Sequence, residues 1–318
     1  MSGAGTTGAG LARGRFAVGV VTALAGAVLW GFSGTCAQLV LSAYEASPLF
    51  ITAARTLVAA VLLLAFALAR YRETLVEIVR CGKLRLRLVL FGIGLFLSQS
   101  TFAASVAHTN AGTATVLQSL ATVFVMVIAC SLAKRLPHPF EILGVVCAVA
   151  STWFIATQGN PGEFVLPLGG LFWGIANALA VTLYIMMPKP LYDRWPSFPV
   201  IACGMTVAAI VAALCWIGES LIGVSFAIPA FDTFGWSVLL VGIGVLGTVC
   251  AFGLYLHGVA IVGSINGSLL GAAEPVSAMV ITTAWLGTAF TGADWIGLAL
   301  MIAMIALVSF SSKQPATE

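Results

Sequence analysis

The sequence from Gly263 to Gly287, GSINGSLLGAAEPVSAMVITTAWLG, contains a single charged residue, Glu274, which is followed directly by Pro275. A helix of this length crosses the roughly 30 Å apolar core of a bilayer, and Glu274 lies near its middle. A charged side chain at that depth costs about 3 kcal/mol on insertion scales, so Glu274 is expected to face protein or water rather than lipid. Two readings stay open: Glu274 contacts a transported solute, or it bonds a neighbouring helix.

Pro275 is expected to interrupt this helix. Proline has no backbone N–H, and its ring crowds the carbonyl of the residue one turn earlier, here Gly271. Gly263, Gly267 and Gly271 recur at every fourth position and present a bare backbone face that another helix, or a ligand, can approach closely. A polar group, a kink and an open backbone face at mid-membrane together favour a pathway for a solute.

The composition excludes a soluble protein. The 318 residues are 60% hydrophobic and only 8% charged, whereas a soluble domain carries about 25% charged residues. Leu, Ala, Gly and Val dominate, which suits helices, since a membrane barrel would show alternating strands of about ten residues. The seven Cys form no CxxC pair and the three His are isolated, so we predict no metal, no disulfide framework and no cofactor.

Short polar breaks containing Pro, Gly or charged residues divide the chain into ten apolar segments. The predicted segments are 16–41, 48–69, 88–107, 111–132, 139–157, 168–187, 198–217, 236–257, 263–287 and 293–312. We therefore predict an all-α integral membrane fold with ten transmembrane helices. The predicted units are a disordered cytoplasmic N-terminus 1–15, two repeats of five helices at 16–157 and 168–312, and a cytoplasmic tail 313–318.

The basic residues predict the orientation of the segments, because Lys and Arg concentrate in cytoplasmic loops. With the N-terminus placed in the cytoplasm, all of the 14 Lys and Arg residues except Arg55 fall on the cytoplasmic side. Arg55 lies inside the second segment. This distribution predicts a multi-pass protein of the cell inner membrane with both termini in the cytoplasm.

Short sequence matches indicate an internal repeat. They are Trp30-Gly31 with Trp173-Gly174, Gly92-Ile93-Gly94 with Gly242-Ile243-Gly244, and Glu141 before Gly144 with Asp294 before Gly297. The matches occur in the same order, which indicates a five-helix unit used twice. Because five is odd, the two copies must be inverted in the membrane. Inverted repeats are typical of secondary transporters, whose site lies at the repeat interface near the midplane.

Several of these motifs resemble one family. The LWG of segment one, Arg55 early in segment two, and AAEPVSAMVITTAWLG followed by DWIGLALMIAMIALVS resemble the EamA-type branch of the drug/metabolite transporter superfamily, over nearly the whole chain. The resemblance implies export, or sometimes import, of small metabolites such as amino acids, by alternating access through a central cavity with helices five and ten peripheral.

One departure from the family pattern concerns the end of the ninth helix. The family usually follows its Leu-Gly with Glu, whereas Leu286-Gly287 is followed here by Thr288, and the equivalent place in the first repeat holds Arg135. A polar contact at this helix end is therefore expected to be missing or replaced.

Polar and aromatic residues inside the apolar segments are the candidate cavity lining. They are Trp30, Gln38, Gln99, Gln118, Trp173, Asn177, Tyr184, Tyr255, Asn266 and Glu274. Trp30 and Trp173 are related by the repeat, so we expect them either to wall one cavity from both sides or to fill space between helices. Gln99 stands in a run of four polar residues and is the member expected to point inward, since Ser and Thr can bond their own helix.

Arg55 and Pro275 are predicted to be structural residues or substrate contacts. Arg55 can snorkel outward or bond carbonyls instead of touching a solute. As the only cation in the apolar segments, it argues against phosphorylated substrates, which are read by several paired donors. A cavity lined by aromatic rings, amides and one acid suits a small zwitterionic or weakly polar solute, with Trp offering its face to an ammonium group.

The sequence thus predicts a secondary transporter, with export as the preferred direction and an importer or facilitator of the same fold as the alternative. A membrane-embedded enzyme is the remote alternative, because the chain has neither HExxH nor GxSxG, and it has no Walker-type loop. The predicted partners are a small-molecule substrate and the lipid bilayer, with proton coupling through Glu274 as a hypothesis. No nucleic acid is expected, and the protein is predicted to be a monomer or homodimer.

Overall fold

The computed structural model describes residues 4–221 and 228–311, in which no β-strand occurs. Its helices are α1 Ala4–Ala43, α2 Pro48–Arg70, α3 Arg72–Arg80, α4 Gly82–His108, α5 Ala111–Gln118, α6 Ala121–Leu132, α7 Pro139–Thr157, α8 Leu168–Met186, α9 Lys189–Tyr192, α10 Ser197–Leu221, α11 Thr233–Ser237, a π-helix Val238–Cys250, α12 Ala251–Val262, α13 Ser264–Gly271, α14 Ala273–Leu286 and α15 Gly292–Ser311.

Ten stretches of the described chain are helical, long and apolar enough to cross a bilayer. These spans 1 to 10 are Gly14–Ala43, Pro48–Arg70, Gly82–His108, Ala111–Leu132, Pro139–Thr157, Leu168–Tyr192, Ser197–Glu219, Thr233–Val262, Ile265–Leu286 and Gly292–Ser311. The predicted all-α fold with ten membrane helices is confirmed. The largest difference is that span 3 begins at Gly82 rather than at residue 88. The helix continues beyond the apolar run, where Lys83 and Arg85 can direct their charged ends to water.

The N-terminal segment differs from the expectation. Residues 1–15 were expected to be disordered, but α1 begins at Ala4, so the expectation is wrong for residues 4–15. A helix that is already nucleated extends into flanking residues at little cost, and the three Ala and two Arg of residues 4–15 are strong helix formers, whereas its four Gly are weak ones. The predicted tail 313–318 lies outside the described residues.

A short helix, α3, occupies the loop between spans 2 and 3, where the sequence predicted only a basic loop. Leu75 and Ile78, three residues apart, are its buried side chains, and α3 packs against α2 and α10. Glu77 forms an ion pair with Arg194 at 2.9 Å between Oε1 and Nη2. Both side chains are about half exposed, so this pair contributes little stability.

The two halves of the chain pack mainly on each other. Span 3 packs on span 6 through α4 and α8, and span 1 packs on span 8 through α1 and α12. Spans 2 and 7 pair through α2 and α10, and spans 5 and 10 pair through α7 and α15. Exchanging the first five spans with the last five leaves this set of pairs unchanged. It is the arrangement expected for the predicted inverted repeat.

The fourth span of each half is discontinuous. Span 9 breaks at Ala272, between α13 and α14, so the interruption predicted from Pro275 is present. Span 4 breaks at Ser119 and Leu120, between α5 and α6, without a proline. Ser119 Oγ donates to the carbonyl of Thr115 at 3.0 Å, and such bonds from Ser to the preceding turn bend helices.

Gly31 brings span 1 against the helix that carries Glu274. A Cβ added at Gly31 would lie 2.6 Å from the Glu274 carbonyl oxygen and 2.7 Å from the Ala278 nitrogen. Both are backbone atoms, so neither can move aside as a flexible side chain would. The glycine of the LWG motif therefore allows the close approach of α1 to α14.

We predict that Gly31→Ala destabilises the protein. Overpacking of this kind typically costs about 1–3 kcal/mol, so the thermal unfolding temperature of the purified protein should fall by several degrees. Gly253→Ala is the matched control, because no atom lies within 4 Å of a Cβ at that helical position, and it should leave the temperature unchanged or raise it. Equal temperatures for the two variants would contradict this account of the helix crossing.

Candidate functional site

Glu274 and Gln118 join the two discontinuous spans. Gln118 Nε2 donates to Glu274 Oε1 at 2.9 Å, and it is the one hydrogen-bond partner that the described chain gives this carboxyl. Gln118 is the last residue of α5, and Glu274 lies in the first turn of α14. The dipole of a helix favours negative charge in its first turn. The break in span 9 therefore supplies the electrostatic setting for Glu274.

Two cavities meet at this pair. The smaller, called here the inner chamber, has a volume of about 80 Å³ and is lined by Trp30, Ser33, Gly34, Arg55, Leu95, Ser98, Gln99, Phe102, Gln118, Val181, Tyr184, Phe252 and Glu274. The larger, called the main cavity, has a volume of about 680 Å³. Trp30, Gln118, Tyr184 and Glu274 line both. Glu274 thus stands where a small polar space opens into a large one.

The main cavity runs from Glu274 to one end of the bundle. Beyond the shared residues its wall is largely apolar, and it continues to Arg135, Glu141, Pro188 and Tyr192. Arg135 is part-exposed and forms an ion pair with the buried Glu141 at 2.7 Å. The hydrogen bond to Glu141 raises the pKa of Arg135. The loops at this end carry the basic residues that predict the cytoplasmic side.

Trp30 and Tyr255 form an aromatic wall of the main cavity. The ring centroid of Trp30 lies 4.7 Å from that of Tyr255 and 5.1 Å from that of Phe252. Tyr255 donates its hydroxyl to the carbonyl of Gly267 at 3.0 Å. Span 8 therefore covers the glycine face of span 9 at Gly267, whereas Gly271 lines the main cavity.

Arg55 does not snorkel to the surface. Only 8% of it is exposed, and its Nε and Nη2 lie 3.4 and 3.2 Å from Thr248 Oγ1. Thr248 lies in the π-helix and donates its own hydroxyl proton to the carbonyl of Ile243 at 2.9 Å. The described partner of Arg55 is thus a hydroxyl rather than the carbonyls that the sequence suggested. Its guanidinium lines the inner chamber.

The polar run of span 3 divides as expected. Ser98, Ser100 and Thr101 donate to carbonyls of their own helix. Gln99 makes no such bond and lines the inner chamber, which Ser98 also borders. Gln99 Nε2 lies 3.7 Å from Met205 Sδ, a weak acceptor. The side-chain amide of Gln99 therefore makes only a weak hydrogen bond within the described chain.

Four candidates line neither of these two cavities. These are Gln38, Trp173, Asn177 and Asn266. Asn177 is fully buried and donates to the carbonyl of Ser98 at 2.5 Å. Its side chain therefore joins span 6 to span 3. Asn266 donates to the Val262 carbonyl at 2.9 Å, which bridges the turn between spans 8 and 9.

Trp173 packs edge to face on Phe172, with 5.1 Å between ring centroids, rather than facing Trp30 across a cavity. Trp30 therefore lines both cavities, and Trp173 lines neither.

Gln38 closes the end of the bundle opposite Arg135. Its Oε1 accepts from the Ala111 backbone N–H at 2.7 Å, and its Nε2 donates to Thr288 Oγ1 at 3.0 Å. Ala111 begins α5, and Thr288 follows α14. The polar contact expected to be missing or replaced at Thr288 is therefore made by Gln38.

Several cavity residues were not predicted from the sequence. They are Ser33, Phe102 and Phe252, together with Thr248, the partner of Arg55. Ser33 carried a usable signal, because it stands three residues after Trp30 and so shares its helix face. The phenylalanines carried none, since aromatic residues are as common in lipid-facing positions of these segments.

Comparison with known proteins gives concordant matches. The EamA-like transporter family model matches residues 17–157 and 168–310, close to the two predicted repeats. The uncharacterized inner membrane transporter YicL of Salmonella typhimurium (strain LT2) is 30% identical over 299 residues, which cover 94% of this chain and 97% of YicL.

A solved crystal structure that is 19% identical aligns with a TM-score of 0.61 over 94% of this chain and 98% of its own, which supports the fold alone. Family membership assigns the chain to transporters rather than to enzymes, as the sequence predicted. With both halves matched and the relative covered almost end to end, this membrane protein belongs to the EamA-like transporter family.

Proposed function

We propose that this chain is a secondary transporter of the inner membrane that moves a small zwitterionic or weakly polar metabolite, such as an amino acid, by alternating access. The observation that carries the proposal is the Glu274–Gln118 pair, which sits between two discontinuous spans at the meeting point of two cavities. Discontinuous helices at the interface of two repeats are where secondary transporters hold their solutes. The inner membrane location is supported by the relative YicL and by the loop charges.

The closed and open ends support alternating access. The main cavity reaches the end of the bundle that carries Arg135, so the described state corresponds to one open to the cytoplasm in the proposed orientation. At the other end Gln38 is joined to α5 and to Thr288, and Thr35 and Thr282 share a hydrogen bond of 2.8 Å between their hydroxyls. Opening that end requires these contacts to break.

Export is the proposed direction, because a solute from the cytoplasm reaches Glu274 directly in this state. An importer or facilitator of the same fold would release its solute through the same opening and remains the alternative. Proton coupling is proposed to run through Glu274, since a carboxyl that alternates between a buried and a wet environment can bind and release a proton. A monomer and a homodimer both fit this account.

Glu274→Gln is predicted to uncouple transport from the proton gradient. In proteoliposomes, the variant should lose the accumulation of a transported amino acid that a pH gradient drives, because its amide takes up no proton. Counterflow without a gradient should persist but require a higher solute concentration, since the amide keeps the hydrogen-bonding shape of the acid but not its charge. Glu163→Gln, in the exposed loop between spans 5 and 6, is the matched control and should behave as wild type. Retained pH-driven accumulation by Glu274→Gln would remove Glu274 from coupling.

Gln38→Leu is predicted to open the end of the bundle away from Arg135. The change removes both bonds of Gln38, so the closed state loses stability relative to the open one. We expect Ser98→Cys, placed in the inner chamber of a chain without other cysteines, to react several-fold faster with a membrane-impermeant thiol reagent added outside cells.

Gln158→Leu provides the control for this experiment. Gln158 bonds Asp294 at 2.9 Å and joins spans 5 and 10, away from both cavities, so its loss should leave labelling of Ser98→Cys unchanged. Equal labelling in the Gln38→Leu and Gln158→Leu backgrounds would show that Gln38 does not hold the end closed.

A further inference from the structure

Arg55 is a buried cation that forms no salt bridge with any described residue. Its contacts in the described chain are with the single hydroxyl of Thr248, and no described carboxylate approaches it within ion-pair distance. A guanidinium has several N–H donors in a planar fork, and most of them are left over here. In the membrane interior such donors must be satisfied by protein or by whatever fills a cavity. The cavity that Arg55 faces is the inner chamber.

Two further polar atoms on the wall of that chamber lack partners. Gln99 Oε1 and Ser33 Oγ are buried and make no hydrogen bond, although Gln99 is only 8% and Ser33 only 2% exposed. Buried polar atoms almost always have a partner, so these two atoms are available to bind an occupant of the chamber. Its volume of about 80 Å³ exceeds the roughly 10–15 Å³ that one water needs.

Opposite charges line the chamber without a direct salt bridge between them. Arg55 and Glu274 both contribute to its wall, yet they form no ion pair. Glu274 is bound by the neutral amide of Gln118 instead. An occupant with one negative and one positive group complements both walls, whereas a neutral or singly charged occupant leaves one of them unpaired. Leaving a buried charge unpaired is the costly outcome.

We propose that Arg55 is the anchor for a carboxylate of the transported solute, and that Glu274 faces the ammonium group of the same molecule. This inference rests on the proposed function and deepens it by assigning the orientation of the solute. The carboxylate lies on the Arg55 side of the inner chamber, where the guanidinium can bind it through two parallel hydrogen bonds. Gln99 and Ser33 border the same space, and the remainder of the solute extends past Trp30 into the largely apolar main cavity.

The test compares each solute with analogues that lack one charge. Purified wild-type protein is screened by thermal shift and counterflow against the common L-amino acids. Every hit is then compared with its amide, which lacks the carboxylate, and with acetate, which lacks the amine. The anchor predicts that the amide binds roughly tenfold or more weakly than the acid, as expected for loss of a hydrogen bond between buried charged groups. Acetate should not compete.

Substitutions then assign the effect to Arg55. Arg55→Gln should bind acid and amide alike, and Arg55→Lys should recover only part of the preference, because an ammonium cannot form the planar fork. Thr248→Val keeps the guanidinium but removes its partner, so it should weaken binding of the acid and leave the amide unaffected. Arg70→Gln, on the exposed end of the same helix, should retain the wild-type preference.

The outcomes separate this inference from the proposed function. If amino acids bind and are transported but the wild type does not distinguish acid from amide, the carboxylate anchor is overturned and the transporter stands. Competition by acetate as strong as by the amino acid would overturn the two-charge orientation. If no zwitterion binds the wild type, the proposed substrate class is overturned together with the anchor. The comparison of analogues uses the wild type, so poor folding of a variant does not prevent a result.

Discussion

The need to keep one carboxyl out of hydrocarbon organises this molecule. Glu274 lies near the middle of an apolar helix, and its side chain is held by Gln118 from the matching helix of the other half. Span 9 breaks at Ala272, so Glu274 lies in the first turn of α14. Gly31 lets span 1 come close enough to cover the same turn. The break in span 9, the amide of Gln118 in span 4 and Gly31 in span 1 thus all pack around or bind the segment that carries Glu274.

The two halves share a pattern of packing but not of chemistry. Each half contributes a discontinuous span to the centre, yet the cations and acids of the membrane interior are not distributed symmetrically. Arg55 belongs to the first half and Glu274 to the second, and both line one chamber. Trp30 lines the main cavity, whereas Trp173, its predicted repeat partner, is packed on Phe172. A rearrangement that exchanges the roles of the two halves is what alternating access requires.

Much of the fold followed from the sequence because bilayer thickness and the cost of burying charge act on single segments. Ten apolar stretches, the break at Pro275 and the inward orientation of Glu274 need no knowledge of neighbouring helices. The predictions that differ from the structure depend instead on which helix packs against which. Asn177 and Trp173 share a helix face with Tyr184, yet only Tyr184 lines a cavity, because helical periodicity fixes the face and not the element packed against it. The break at Ser119 occurs without a proline, and the contact of Arg55 with Thr248 joins residues 193 positions apart in the sequence.

The central claim is that Glu274 lies in a cavity that the transported solute occupies. The most direct measurement is reaction of the purified protein with dicyclohexylcarbodiimide, which modifies protonated carboxyls in apolar surroundings, followed by peptide mass spectrometry with and without a transported solute. The account predicts that Glu274 is modified and that the solute protects it in proportion to its occupancy. Modification to the same extent at saturating solute, or protection only of carboxyls outside the cavity, would contradict it.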